Sequence, residues 1–106
     1  MQTKRLAEIQ VPFKPSYFKT ELFKVLSSPS RIQILDTLRL GEHSVNSIAK
    51  WLEVEASSIS RHLAILRRYN LVVIRREGTH VFYSVRDPDL FKVLDAVVLQ
   101  KLMVVW

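Results

Sequence analysis

The sequence predicts a mainly α-helical domain carrying one small β-hairpin, in the order α1-α2-α3-α4-β1-β2-α5. Three observations predict it. Apolar residues recur at helical spacing in five separate stretches. Two runs rich in β-branched and aromatic residues flank Glu77-Gly78. The two Gly and four Pro punctuate the chain at or outside the ends of these runs, two of the Pro ahead of the first.

Residues 1–15 hold two of the prolines and little periodicity, which reads as a flexible N-terminal arm before a domain spanning 16–106. Ser16 can cap a first helix running to about Leu26, with Phe18, Leu22, Val25 and Leu26 at helical spacing. Ser28-Pro29 restarts the chain: Ser suits the cap and Pro the first helical position. Ile32, Leu35 and Leu38 follow, with Ile34 widening the face, and Gly41 is the expected end of this second helix. Ser44 caps a third helix from Val45 to about Leu52, whose stripe is Val45, Ile48 and Leu52. After the break Glu53-Val54-Glu55, a fourth helix runs from about Ala56 to Tyr69. The segment LVVIRREGTHVFYSV forms the hairpin, with Gly78 supplying its turn. Asp87-Pro88 stops the hairpin and starts a last helix reaching the chain end. Helices three and four stand only a few residues apart. That is helix-turn-helix spacing, and the hairpin after it is placed as a wing: a winged helix-turn-helix.

The 106 residues and 12.4 kDa amount to one domain. Apolar residues make up 48%, a folding composition. With no Cys, disulfides, thiolate metal sites and thiol switches are excluded. No apolar run is long enough to span a bilayer, and the N-terminus lacks the apolar core of a secretory signal. A cytoplasmic protein without a membrane partner is the expectation. The formal charge is +6, and residues 57–86 alone carry six Arg against one Glu. These are Arg61, Arg67, Arg68, Arg75, Arg76 and Arg86. The Arg fork fits phosphates and guanine edges.

On helix four, Ile59, Leu63 and Leu66 mark the buried side, at i, i+4 and i+7. Ser57, Arg61, Ala64 and Arg68 lie opposite, flanked by Ser58 and Ser60, and no acid occurs from Ser57 to Tyr69. Small residues let a helix approach a groove, hydroxyls and N-terminal amides bind phosphate, and Arg reads guanine. A merely solvated face would more often carry Glu and Lys. The expected reading head is therefore Ser57, Ser58, Ser60, Arg61, His62 and Arg68, with double-stranded DNA as the partner. His62 lies on the edge of the buried side and reads equally as a core-edge residue or a phosphate contact. Arg75, Arg76 and His80 on the hairpin add expected wing contacts, against the plainer reading of charges that keep strand edges apart.

The last helix is apolar on most sides, with Lys92, Asp95 and Gln100 gathered on one. A chain this short has little spare core to cover it. A homodimer is expected, with Phe18 and Leu22 of the first helix and Leu90, Leu94, Val97, Val98, Leu102 and Val105 of the last at the seam. The competing arrangement buries that helix against helices one and two of its own subunit. Two reading heads would address half-sites about 10 base pairs apart.

Three segments now carry a likeness. ELFKVLSSPSRIQIL, SSISRHLAILRRYNLV and IRREGTHVFYSV together resemble the ArsR family of prokaryotic winged-helix repressors, over about residues 17–105. The resemblance implies a dimeric DNA-binding repressor, with Ser57, Ser60 and Arg61 at the family's usual DNA contacts. Ala56 stands where many members have Gln, and Arg61 where many have His, which implies an altered sequence preference. The family's third-helix metal site reads Glu-Leu-Cys-Val-Cys-Asp. Here Glu42-His43-Ser44-Val45-Asn46-Ser47 lacks both thiolates. The family's other site uses Asp and His along the last helix, where this chain has Asp89 and Asp95 but no His. No cofactor is expected, though a weak His/carboxylate site across a dimer stays open. An effector is unassigned. No nucleophile motif, Gly-rich phosphate loop or metal-ligand cluster suggests an enzyme. The alternatives weighed are a winged-helix module for protein–protein interaction and sequence-independent DNA binding.

Overall fold

A computed structural model describes residues 22–96. Residues 22–26 are helical (α1). Then come α2, Pro29–Thr37, a 3-10 turn at Leu38–Leu40, α3, Val45–Leu52, and α4, Ala56–Arg68. The hairpin pairs β1, Val72–Glu77, with β2, His80–Val85, and residues 90–96 are helical again (α5). The expected arm and the Ser16 cap lie outside the described residues, as do Phe18, Val97, Val98, Leu102 and Val105.

The caps behave as the sequence suggests. The Ser28 hydroxyl accepts from the Arg31 amide ahead of Pro29, and the Ser44 hydroxyl accepts from the Ser47 amide at 3.1 Å. The second helix was expected to reach Gly41. Its α-helical part instead stops at Thr37 and tightens into the 3-10 turn. Gly41 then adopts φ 138°, ψ −173°, a region open essentially to glycine alone.

The turn between α3 and α4 ends α3 in a Schellman motif. Val54 N–H donates to Ala49 C=O at 3.0 Å and Glu53 N–H to Lys50 C=O at 3.4 Å. Glu53 sits at φ 56°, a left-handed position that glycine usually fills. The same motif ends α4. Asn70, at φ 60°, donates to Arg67 C=O, and Leu71 N–H donates to Leu66 C=O. Leu66 and Leu71 are both buried, which supplies the apolar contact that accompanies this cap. The chain thereby turns directly into β1.

The hairpin runs in register from Val72↔Val85 to Glu77↔His80, leaving Gly78-Thr79 as a two-residue loop. Gly78 has φ 62° while Thr79 is not among the positive-φ residues, the φ pattern of a type II′ turn. His43 and Tyr83 exchange backbone hydrogen bonds at 3.0 and 2.8 Å, so the loop before α3 adds a one-residue third rung to the sheet.

The last helix begins later than expected. Pro88 and Asp89 form a turn, Asp87 Oδ1 accepts from the Asp89 amide at 2.9 Å, and regular helix starts at residue 90. One core joins all helices: Leu26, Ile34, Leu35, Ile48, Leu63, Leu66 and Leu94 are fully buried. Leu22, Leu90 and Leu94 were expected at a seam between subunits. They are buried instead in the one apolar cluster of their own subunit, together with Leu26, Ile34, Leu35, Leu63 and Leu66. Periodicity located the apolar face but not what covers it.

Candidate nucleic-acid interface

The partition of α4 follows its 3.6-residue period. Ile59, Leu63 and Leu66 are buried, while Ser57, Ser60, Arg61, Ala64 and Arg68 are exposed and Ser58 is half-buried. The α4 cap, Glu55, makes no side-chain hydrogen bond to the first-turn amides. Those amides and the Ser57, Ser58 and Ser60 hydroxyls therefore share one end of the helix, where the macrodipole favours an anion. Among the described residues, Arg61, Arg68 and Arg76 have no hydrogen-bond or ion-pair partner. They are free to meet a polyanion.

His62 and Arg75 are differently placed. His62 is half-buried, and its Nδ1 lies 3.3 Å from Arg31 Nη1. A guanidinium only donates, so Nδ1 is the acceptor and the imidazole proton sits on Nε2. Arg31 Nε also donates to Val25 C=O at 2.8 Å. One side chain thus ties α1, α2 and α4 together. Burial, then the Arg31 and Arg61 charges, hold the His62 pKa below its ordinary value.

This has a consequence for stability. Well above the ordinary imidazole value of about 6.5, His62 is neutral in both folded and unfolded chains. As pH falls through that value, the unfolded chain takes up a proton that the folded one resists, so stability is lost. The thermal midpoint of the wild type should fall between pH 7.5 and 5. His62→Asn keeps an acceptor near the Nδ1 position and does not titrate, so its midpoint should fall less. Parallel pH profiles for the two proteins would contradict this assignment.

Arg75 is held by Glu42, in the loop before α3. Its Nη2 approaches Glu42 Oε1 at 2.5 Å, and its Nε lies 3.1 Å from both carboxylate oxygens. The guanidinium also stacks on Phe82, its cross-strand partner, at 4.8 Å from the ring centre. This hydrogen bonding holds the Glu42 carboxyl below, and the Arg75 guanidinium above, their ordinary pKa values. Arg76 points to the opposite face of β1 by strand alternation. Arg76 and His80 are exposed near the tip.

The residues of Glu42–Ser47 do not fit a soft metal. Glu42 is committed to Arg75, Ser44 caps α3, and His43 Nδ1 lies 3.0 Å from Ser47 Oγ. Among the described residues no three His, Asp or Glu side chains converge.

Sequence reasoning missed Phe23, a 48% exposed aromatic on α1. It flanks the face that buries Leu22, Val25 and Leu26. An apolar α1 face wider than one core stripe was the signal available for it.

The pattern described as "bacterial regulatory protein, arsR family" matches residues 28–73, from the α2 cap into β1. The chain is 37% identical over 83 residues to the HTH-type transcriptional regulator Rv0081 of Mycobacterium tuberculosis, spanning 76% of this chain and 73% of that protein. It belongs to the ArsR family of transcriptional regulators. The crystal structure of Rv0081 superposes with a TM-score of 0.72, covering 88% of this chain and 94% of that one. The transcriptional repressor SdpR of Bacillus subtilis is 36% identical over 69 residues, 65% of this chain and 77% of its own. The homodimeric winged helix-turn-helix DNA-binding domain of Mb0332 from Mycobacterium bovis has a TM-score of 0.69 at 30% identity, covering 87% of each chain. This ArsR-family chain is thus a DNA-binding regulator with a winged helix-turn-helix.

Proposed function

We propose that this regulator represses transcription as a homodimer on a palindromic operator, with α4 in the major groove and the wing beside it. The observation that carries this reading is the exposed arc of α4, in which serines and unpaired arginines lie opposite a fully apolar side. In this arrangement Arg61 reads a base edge, Ser57, Ser58 and Ser60 bind phosphate beside the first-turn amides, and Arg68 meets the backbone farther along. Arg76 and His80 supply the free wing contacts. His62 acts on DNA through helix placement, since Arg31 holds its ring.

Homodimerisation is supported by the likeness to Mb0332, whose domain is homodimeric, and by Phe23, a large apolar side chain left 48% exposed on α1. With Leu22, Leu90 and Leu94 already in the subunit core, the seam draws on Phe23 and on expected residues beyond residue 96. A signal acts by shifting the dimer between DNA-competent and incompetent geometries, with the last helix as lever. The protein works in the cytoplasm, beside the chromosome; among the described residues no helix is long and apolar enough to cross a membrane.

Selection of preferred duplexes from a random pool tests fold, dimer and function together. The expected product is a palindrome whose half-sites lie about 10 base pairs apart. Its affinity should fall steeply with salt, as counterions are released from each phosphate contacted. Equal affinity for selected and random duplexes would instead indicate architectural binding, and no binding in dilute buffer a protein-interaction module.

A further inference from the structure

The Glu42–Arg75 pair bears on how tightly the wing can hold DNA. Arg75 is one of only two arginines on β1, and its side chain is half exposed, within reach of a phosphate. Yet both Glu42 carboxylate oxygens are spent on it, and Phe82 fixes its plane. The two backbone hydrogen bonds between His43 and Tyr83 keep the carboxylate beside the hairpin. Glu77 adds a second acid, 3.8 Å from Arg75 Nη2. Glu42 engages the Nε and Nη2 groups of the guanidinium, and the pair as a whole presents no net charge to a phosphate. Its neighbour Arg76, on the other strand face, has no such partner among the described residues.

We propose that Glu42 is a built-in restraint on DNA affinity, which withholds Arg75 from the phosphate backbone and leaves Arg76 as the strand's phosphate-binding arginine. The wing therefore binds with one arginine fewer than its sequence offers. Glu42 touches no DNA; it sets how many cations do. This rests on the DNA-binding reading above, and the test separates the two.

The measurement is the slope of log affinity against log salt on the selected duplex, for wild type, Glu42→Gln, Arg75→Gln and the double variant. Gln keeps the size of each side chain and removes its charge, and thermal melting checks that each variant folds. Glu42→Gln should bind more tightly, with a slope steeper by about 0.9 per subunit, about 1.8 per dimer, for the phosphate newly contacted by Arg75. The double variant should return to the wild-type slope, because a neutral pair replaces a neutralised one. Arg75→Gln alone should bind more weakly, with a bare carboxylate facing the backbone.

Three results would overturn the proposal. A double variant about 1.8 shallower than wild type would mean that Arg75 already binds phosphate with Glu42 in place. A slope gain in Glu42→Gln that survives in the double variant would mean that Glu42 acts through its field alone. Unchanged or weakened binding by Glu42→Gln would mean that the pair positions the wing for contact. Absence of any salt-dependent binding by the wild type would reject the DNA-binding reading itself.

Discussion

Replacing Arg61 with alanine should erase discrimination at one or two base pairs of each half-site while leaving the fold intact. Arg61 is exposed, on the α4 face opposite Ile59, Leu63 and Leu66, and unpaired among the described residues, so its loss opens no cavity and strands no buried partner. Its fork matches the two acceptors of guanine in the major groove, a contact worth about 1–3 kcal/mol of discrimination. Competition between the selected duplex and versions changed at single positions measures it. The penalty for changing the cognate pair should shrink by that amount, with other positions unaffected. Arg68→Ala, farther along the helix, should weaken all duplexes alike. If Arg61→Ala also weakened every sequence equally, Arg61 would be a phosphate contact and base reading would lie elsewhere on the helix.

Replacing Leu63 with alanine should have the largest effect on stability. Leu63 is fully buried and lies at the middle of α4, where that helix meets the core. Truncation removes apolar contact and leaves a cavity that surrounding helices close only in part. The loss should be about 2–5 kcal/mol. Domains of this size hold about 5–15 kcal/mol in total, so the loss is a large share. The thermal midpoint, read at fixed protein concentration, should drop by roughly 10 °C or more. Ala64→Ser, one residue on and exposed, should stay within about 0.5 kcal/mol of wild type. A small effect at Leu63 would mean that the helix is not anchored through this side chain.

The order of elements, the α3 bounds and the two faces of α4 were legible in the sequence because each follows from local periodicity or a local cap. Val45, Ile48 and Leu52 define one stripe, and Ser44 announces its start. What was not legible depends on partners distant along the chain. Arg75 reads as a wing cation until the fold brings Glu42 to it from 33 residues away. His62 reads as either a core-edge group or a phosphate contact until Arg31 arrives from 31 residues upstream. Leu22, Leu90 and Leu94 are marked as apolar by their spacing, but only packing decides whether a subunit covers them itself. The left-handed Glu53 carries no glycine signal, so the Schellman turn before α4 shows only in the backbone.

Arg39 links α2 to α5. It pairs with Asp36 on α2 at 2.7 Å and with Asp95 on α5, and it lies 4.6 Å from the centre of the Phe91 ring. Just beyond it, Glu42 and His43 are stitched to the hairpin, the first through Arg75 and the second through the backbone of Tyr83. In the proposed dimer each subunit is therefore a stiff jaw on a caliper. A torque between the halves changes the gap between the jaws, while the shape of each jaw stays as it was.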